Sequence, residues 1–146
     1  MKFGRRLLLV GSVVTLIAVS GGYTIRNSFK AEPLIGYVNN FPSEDNQWIA
    51  TLEEVDNGLG FGQGMLYDEI HIHHPGEVIA DHGENDRSAI FYANSMGRQS
   101  DERPQIQWID STHLLITYSP SRIEGGMPGK ALKLYGDIHV SYLHAQ

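Results

Sequence analysis

The stretch "LKLYGDIHVSY", residues 132–142, decides the fold class. Its apolar residues, together with one glycine, occupy every second position, and mostly polar residues stand between them. Successive side chains of a β-strand point to opposite faces, so a period of two over eleven residues predicts a strand with one buried face. A helix would need an apolar repeat near 3.6 residues, which is absent from this stretch.

Similar but shorter alternation occurs upstream. It predicts strands over residues 47–55, 64–74, 88–95, 105–110 and 114–119, joined by turns rich in Gly, Asn and Pro. The chain is therefore expected to be mainly β, as an antiparallel meander or a small sandwich of about six strands. We assign this domain to residues 47–146 and a linker to residues 26–46, with one short extended piece at 34–38.

The first 25 residues have the composition of a membrane segment. Lys2, Arg5 and Arg6 precede an apolar run that begins at Leu7 and continues to Ile25. At about 1.5 Å per residue this run approaches the roughly 30 Å of a bilayer core. The preceding cations favour a cytoplasmic N-terminus. We therefore expect an N-terminal transmembrane helix over residues 7–25, which anchors the chain as a single-pass protein of the bacterial inner membrane with its domain in the periplasm.

A signal peptide is the alternative interpretation of the same segment. Residues 7–19 alone have the length of a signal-peptide core, and Ala18-Val19-Ser20 is an acceptable cleavage site. Cleavage near Ser20 would release the domain into the periplasm. Both interpretations place the rest of the chain outside the cytoplasm.

Charge and cysteine content narrow the range of partners. From residue 31 onward there are six basic and seventeen acidic residues, a net charge of −11. Phosphate backbones repel such a domain, so we expect no nucleic-acid partner. The chain has no cysteine, which excludes disulfides, a zinc ribbon and a thiol nucleophile. The expected partners are the membrane, through residues 7–25, and an unidentified protein, and no cofactor is expected.

The segment "DEIHIHHPGEV", residues 68–78, contains three of the seven histidines. On a strand that turns Ile70 and Ile72 inward, His71 and His73 lie on the opposite face with Glu69. Two such imidazoles start roughly 7 Å apart at the backbone and can converge on one metal ion. The structural alternative is that both are exposed strand residues that moderate the negative charge.

This segment resembles the first motif of the cupin family. The pattern is formed by Gly64, His71, His73, Glu77 and Gly83. The spacing departs from the family by one residue at each end, and the second cupin motif is not found. The resemblance implies a metal-dependent enzyme or sensor that uses His71, His73 and Glu77 as ligands, with His113 or His139 as a further ligand.

A second resemblance covers more of the domain. Small bacterial membrane-anchored envelope proteins of unknown function share a W-x-D-x-x-x-L-x-I-x-Y hairpin, which occurs here as Trp108, Asp110, Leu114, Ile116 and Tyr118. The resemblance implies location and fold but no activity. The first expectation is therefore a periplasmic, membrane-anchored β domain without catalytic motifs, structural or partner-binding and not an enzyme. The cupin-like protein is the alternative.

Overall fold

A computed structural model describes residues 33–56, 66–79, 82, 88–94 and 103–145. These belong to one compact unit, Pro33–Gln146. The predicted membrane segment at residues 7–25 lies outside the described residues. Among the residues that are described, no helix has the length and apolar character needed to cross a membrane.

Among the described residues of this unit there are nine strands and two short 3-10 turns. The strands are β1 (Leu34–Pro42), β2 (Ile49–Asp56), β3 (Leu66–His73), β4 (Ala89–Asn94), β5 (Gln105–Asp110), β6 (His113–Tyr118), β7 (Lys130–Ala131), β8 (Leu134–Tyr135) and β9 (Ile138–His144). The 3-10 turns are Pro120–Arg122 and Glu124–Gly126. Five strands form one sheet in the order β1-β2-β3-β4-β7, and four form a second in the order β5-β6-β9-β8. The prediction of a mainly β fold is confirmed.

Both sheets contribute apolar side chains to one core. The first sheet supplies residues such as Leu52, Ile70 and Phe91, and the second supplies Ile116 and Val140. Alternation along β2 and β3 explains this arrangement, because one set of side chains on each strand faces the core. The other set, which includes Glu53, Glu69 and His71, lies on the opposite face of the first sheet.

The predicted domain boundary at residue 47 is too late. Strand β1 falls within the stretch predicted as a linker, and it pairs antiparallel with β2 from Leu34↔Asp56 to Pro42↔Ile49. The extended piece expected at residues 34–38 is thus part of a nine-residue strand. The sequence of β1 shows little hydrophobic alternation. Because β1 is an edge strand whose residues are mostly exposed, its fold does not require a regular apolar face.

The stretch 132–142 forms two strands, not the single strand predicted from its period. Gly136 has a φ of 56°, and it turns the chain so that β8 pairs antiparallel with β9. The second sheet is also mixed, because β6 and β9 are parallel from His113↔His139 to Tyr118↔His144. The predicted antiparallel arrangement is therefore found in the first sheet, and the second sheet departs from it through this one parallel pair. The intervening chain carries β7 to the first sheet, where it pairs with β4, before β9 returns beside β6.

Candidate metal centre

Polar side chains are buried on the face of the first sheet that points away from the core. Glu69 is 0% exposed, His71 2% and Glu53 5%. The alternation of β3 is as predicted, since Ile70 and Ile72 belong to the core. The interpretation of this face as exposed is wrong for His71. Buried groups of this kind require partners, because transfer of a charged group out of water is costly.

Three of these side chains and one further histidine converge. The ligand atoms of Glu53, Glu69, His71 and His82 all lie within 4.8 Å of one another. His82 Nδ1 is 3.1 Å from Glu53 Oε2 and 3.4 Å from Glu69 Oε2. His71 Nε2 is 3.5 Å from Glu69 Oε2. We refer to these four residues as the quartet.

Three of the separations within the quartet are close to the edges of a coordination tetrahedron. Zn²⁺ binds imidazole nitrogen and carboxylate oxygen at about 2.0–2.2 Å. A regular tetrahedron with bonds of that length has ligand-to-ligand edges of about 3.3–3.6 Å. The three separations in the quartet, 3.1, 3.4 and 3.5 Å, lie close to this range. The remaining separations are at most 4.8 Å, so these side chains would have to move closer together around a tetrahedral ion.

The register of β2 and β3 brings two acids together. Glu53 and Glu69 are directly opposite partners in the antiparallel ladder. Like charges in that position destabilise a sheet. Burial raises the pKa of the Glu53 carboxyl; the neighbouring His82 and His71 oppose this increase, and Glu69 adds to it. A divalent cation at the centre would balance both carboxylates while the imidazoles remain neutral.

Two ligand atoms of the quartet make no hydrogen bond among the described residues. Within the part of the chain that the structure describes, Glu53 Oε2 and His82 Nδ1 are buried and make no hydrogen bond. They are 3.1 Å apart but lack the alignment of a hydrogen bond. Buried polar atoms in this state are uncommon and generally indicate a missing partner. Both residues contribute ligand atoms to the set that converges within 4.8 Å.

The far side of His71 has the support typical of a metal ligand. Its Nδ1 is hydrogen-bonded to Ser88 Oγ at 3.2 Å. A histidine that ligates a metal through one ring nitrogen almost always donates a hydrogen bond through the other, which fixes the tautomer and the ring orientation. Ser88 immediately precedes β4, and the pairing of β3 with β4 places its hydroxyl beside His71.

The predicted ligands His71, His73 and Glu77 have different roles in this arrangement. All three line an open cavity of about 340 Å³ together with Ser88 and Tyr135. Only His71 belongs to the quartet. Both ring nitrogens of His73 take part in hydrogen bonds, with Thr51 Oγ1 and with the backbone oxygen of His74. A carboxylate oxygen of Glu77 accepts a hydrogen bond from the backbone N–H of His74.

The further candidates, His113 and His139, lie on the second sheet. Their rings stack with centroids 5.2 Å apart. The Asp110 carboxylate accepts a hydrogen bond from His113 Nδ1 at 2.8 Å. This hydrogen bond lowers the pKa of Asp110 to about 2, and the backbone N–H of Thr112 contributes to the shift. His113 is partnered within the β5–β6 hairpin, and neither histidine belongs to the quartet.

Sequence patterns alone do not identify Glu53, Glu69 and His82 as ligands. Alternation does place Glu69 on the same face as His71, and that was the one available indication. Glu53 joins them only when the pairing register of β2 and β3 is known. The acidic stretch around His82, residues 80–88, matches no metal-binding motif, because His82 and Gly83 interrupt the alternate acidic positions of a calcium loop.

The donor atoms restrict the type of ion. Two carboxylate oxygens and two imidazole nitrogens suit first-row divalent transition ions. Ca²⁺ and Mg²⁺ prefer oxygen ligands throughout, and Cu(I) prefers sulfur. No protein-family model, curated protein or solved structure matches this chain. The argument for a metal centre therefore depends on the geometry of the quartet.

Proposed function

We propose that this protein is a metal-binding β domain that holds one first-row divalent transition ion in the quartet. The main supporting observation is the convergence of four ligand atoms within 4.8 Å, in a buried location. The buried, unbonded atoms of Glu53 and His82 support the same conclusion. The resident ion would draw both carboxylates and both imidazoles into one coordination sphere.

Four protein ligands complete a tetrahedron. Catalytic zinc sites keep one position for water or substrate, whereas structural sites are closed. In its resting form the proposed centre is therefore closed, and its role is to stabilise or to sense, not to hydrolyse. This proposal keeps the expectation of a non-catalytic domain and takes from the cupin-like alternative only the metal and one of its ligands, His71.

Calorimetric titration of the metal-free full chain with Zn²⁺ tests the proposal. We expect one equivalent to bind, and the binding to disappear when Glu53 and His71 are replaced by Gln and Ala. A His113→Ala, His139→Ala variant provides the control, because it also removes two imidazoles but leaves the quartet intact. Failure of the wild type to bind Zn²⁺, Mn²⁺, Fe²⁺ and Co²⁺ would refute the proposal, as would equal loss in the control.

We also propose that the domain functions outside the cytoplasm and that residues 7–25 hold it at the membrane. The supporting observation is the cluster of Lys2, Arg5 and Arg6 before the apolar run. A C-terminal alkaline phosphatase fusion should be active, and a green fluorescent fusion exported by the general pathway should be dark. Bright fluorescence would overturn the orientation. A mature N-terminus at Gly21 would show that the segment is cleaved.

A further inference from the structure

The four members of the quartet are not held equally. Glu53, Glu69 and His71 lie on the paired strands β2 and β3, where the ladder fixes their backbones. His82 lies in the connection between β3 and β4 and belongs to no strand. Its side chain is 13% exposed, against 7% for Glu53, 2% for His71 and 0% for Glu69. One ligand is therefore both the most accessible to solvent and the only one outside the sheet.

The strand ligands alone form a three-point site. Three protein ligands with one exchangeable position are the arrangement of catalytic metal centres. We propose that His82 is an exchangeable fourth ligand, and that a small, neutral nitrogen donor of the imidazole or amine type takes its position on the metal. This inference rests on the metal centre proposed above and names the class of ligand to which that centre responds.

Charge determines the class of the incoming ligand. The divalent ion and the two carboxylates of Glu53 and Glu69 sum to zero. Replacement of the neutral His82 imidazole by another neutral donor leaves this sum unchanged. An anion would instead add a negative charge to a buried site, in a domain that carries −11 from residue 31 onward. Neutral nitrogen donors are therefore favoured over azide, acetate or phosphate.

Burial determines the direction of approach. Glu69 and His71 are almost fully enclosed, so a ligand cannot reach the ion past them without opening the sheet. The His82 side chain retains 13% exposure, so displacement of this side chain opens the route to the ion. In the exchange, the bond from the metal to His82 Nδ1 breaks and a bond from the metal to the nitrogen lone pair of the incoming donor forms. No proton or electron changes place.

Cobalt spectroscopy of the full chain tests this exchange. In the His82→Ala variant, Co²⁺ should still bind with a stoichiometry of one, and its affinity should fall by more than the roughly 10- to 100-fold typical of a second-shell change. Imidazole should then restore affinity and shift the visible d–d bands toward those of the wild type. The His71→Ala variant should lose stoichiometric Co²⁺ binding, and imidazole should not restore it.

A proton NMR titration of wild-type Co²⁺ protein with imidazole tests the same exchange without any substitution. The paramagnetically shifted ring signals of His82 should be lost with saturation while those of His71 remain, and azide or acetate should require at least roughly tenfold higher concentration. The inference fails if His82→Ala loses Co²⁺ as completely as His71→Ala, or if anions bind as well as imidazole. Absence of Co²⁺ binding by the wild type would instead refute the metal centre itself, so the two failures are distinguishable.

Discussion

Glu53 and Glu69 lie directly opposite each other on adjacent antiparallel strands, and His82 Nδ1 lies 3.1 Å from one carboxylate and 3.4 Å from the other. Such a pair of acids is unfavourable in an empty site and favourable around a cation. The sheet thus holds two acids in a geometry that a bound cation would stabilise. Stability should therefore depend on the metal, and removal of one acid should have opposite effects with and without it.

The isosteric substitution Glu53→Gln tests this dependence. In the metal-free protein it removes like-charge repulsion, so the free energy of unfolding should stay equal or rise by about 0.2–1 kcal/mol. With metal at 100 times its Kd, the wild type should gain about 2.7 kcal/mol, and the variant should lose most of this gain. Urea denaturation with and without Zn²⁺ measures both values.

The exposed carboxylate of Glu44 supplies the matched control for that measurement. Glu44→Gln changes the net charge by the same amount but should leave the metal-dependent gain intact. If Glu53→Gln destabilises the metal-free protein by several kcal/mol, the quartet is held by its own ion pairs and no cation is needed.

The Ser88 hydroxyl should tune the metal without touching it. Ser88→Ala removes the hydrogen-bond partner of His71 Nδ1 and leaves the four ligands in place. Loss of such a partner typically lowers metal affinity by roughly 10- to 100-fold. Calorimetric titration should show this decrease at unchanged stoichiometry. Ser121→Ala, on the surface at the 3-10 turn, should leave the affinity unchanged. Equal affinities in all three proteins would show that Ser88 does not orient the ligand.

How much of this site is predictable from sequence follows from the length scale of each interaction. Local alternation is a property of neighbouring residues, so the strand from 66 to 73 and the shared face of Glu69 and His71 are predictable. The pairing of Glu53 with Glu69 depends on a register set across the connection at residues 57–65. Register is a non-local property, and a slip of one residue would place Glu53 on the core face.

The same limit explains the errors in topology. The period-two pattern of residues 132–142 continues through Gly136, so alternation alone does not locate the turn between β8 and β9. The parallel pairing of β6 with β9 requires a crossover connection, and this connection contributes β7 to the other sheet. No local sequence pattern encodes this path. Edge strand β1 was missed because an exposed edge does not require a regular apolar face.

Asp110 provides a prediction about pH. Its pKa is lowered to about 2, chiefly by the hydrogen bond from His113 and then by the backbone N–H of Thr112. A lowered carboxyl pKa stabilises the fold above the ordinary value near 3.8, and this contribution is lost as pH falls through about 2. Carbon-detected NMR should place the Asp110 midpoint near pH 2, and His113→Ala should move it toward the ordinary value.

Asp45 serves as the internal reference in that titration. Its pKa is also lowered, but by the Ser43 hydroxyl and the backbone N–H of Gln47, which His113→Ala does not disturb. The Asp45 midpoint should therefore stay constant between the two proteins. An unchanged Asp110 midpoint in the variant would mean that the hairpin backbone, not the imidazole, holds the carboxylate.

Trp108 should contribute to stability through both packing and one hydrogen bond. Its half-buried indole packs against the core and donates N–H to the backbone oxygen of Phe41 at 2.8 Å, which joins β5 to the edge of β1. Trp108→Ala should cost about 3 kcal/mol, the lower end of the range for buried tryptophan. Trp108→Phe keeps most of the packing but removes the indole N–H. The lost hydrogen bond should cost roughly 0.5–1.5 kcal/mol, in addition to the cost of the smaller ring. A loss below about 1 kcal/mol for Trp108→Ala would show that neither contact matters to the fold.

Gly136 separates the two interpretations of the stretch that decides the fold class. In a continuous strand, Gly136→Ala would stabilise the protein, because glycine weakens strand interiors. In the turn between β8 and β9, Gly136 has a φ of 56°, and nothing lies within 4 Å of an added Cβ. An alanine at this position would therefore be strained by its backbone conformation and not by a clash. Gly136→Ala should then destabilise the protein by about 1–2 kcal/mol. Gly136→Asn should cost less, since asparagine tolerates the left-handed region. Thermal or urea unfolding measures the stability of the three proteins. If the turn is present, stability should decrease in the order glycine, asparagine, alanine. An alanine variant more stable than the wild type would instead support a single continuous strand over residues 132–142.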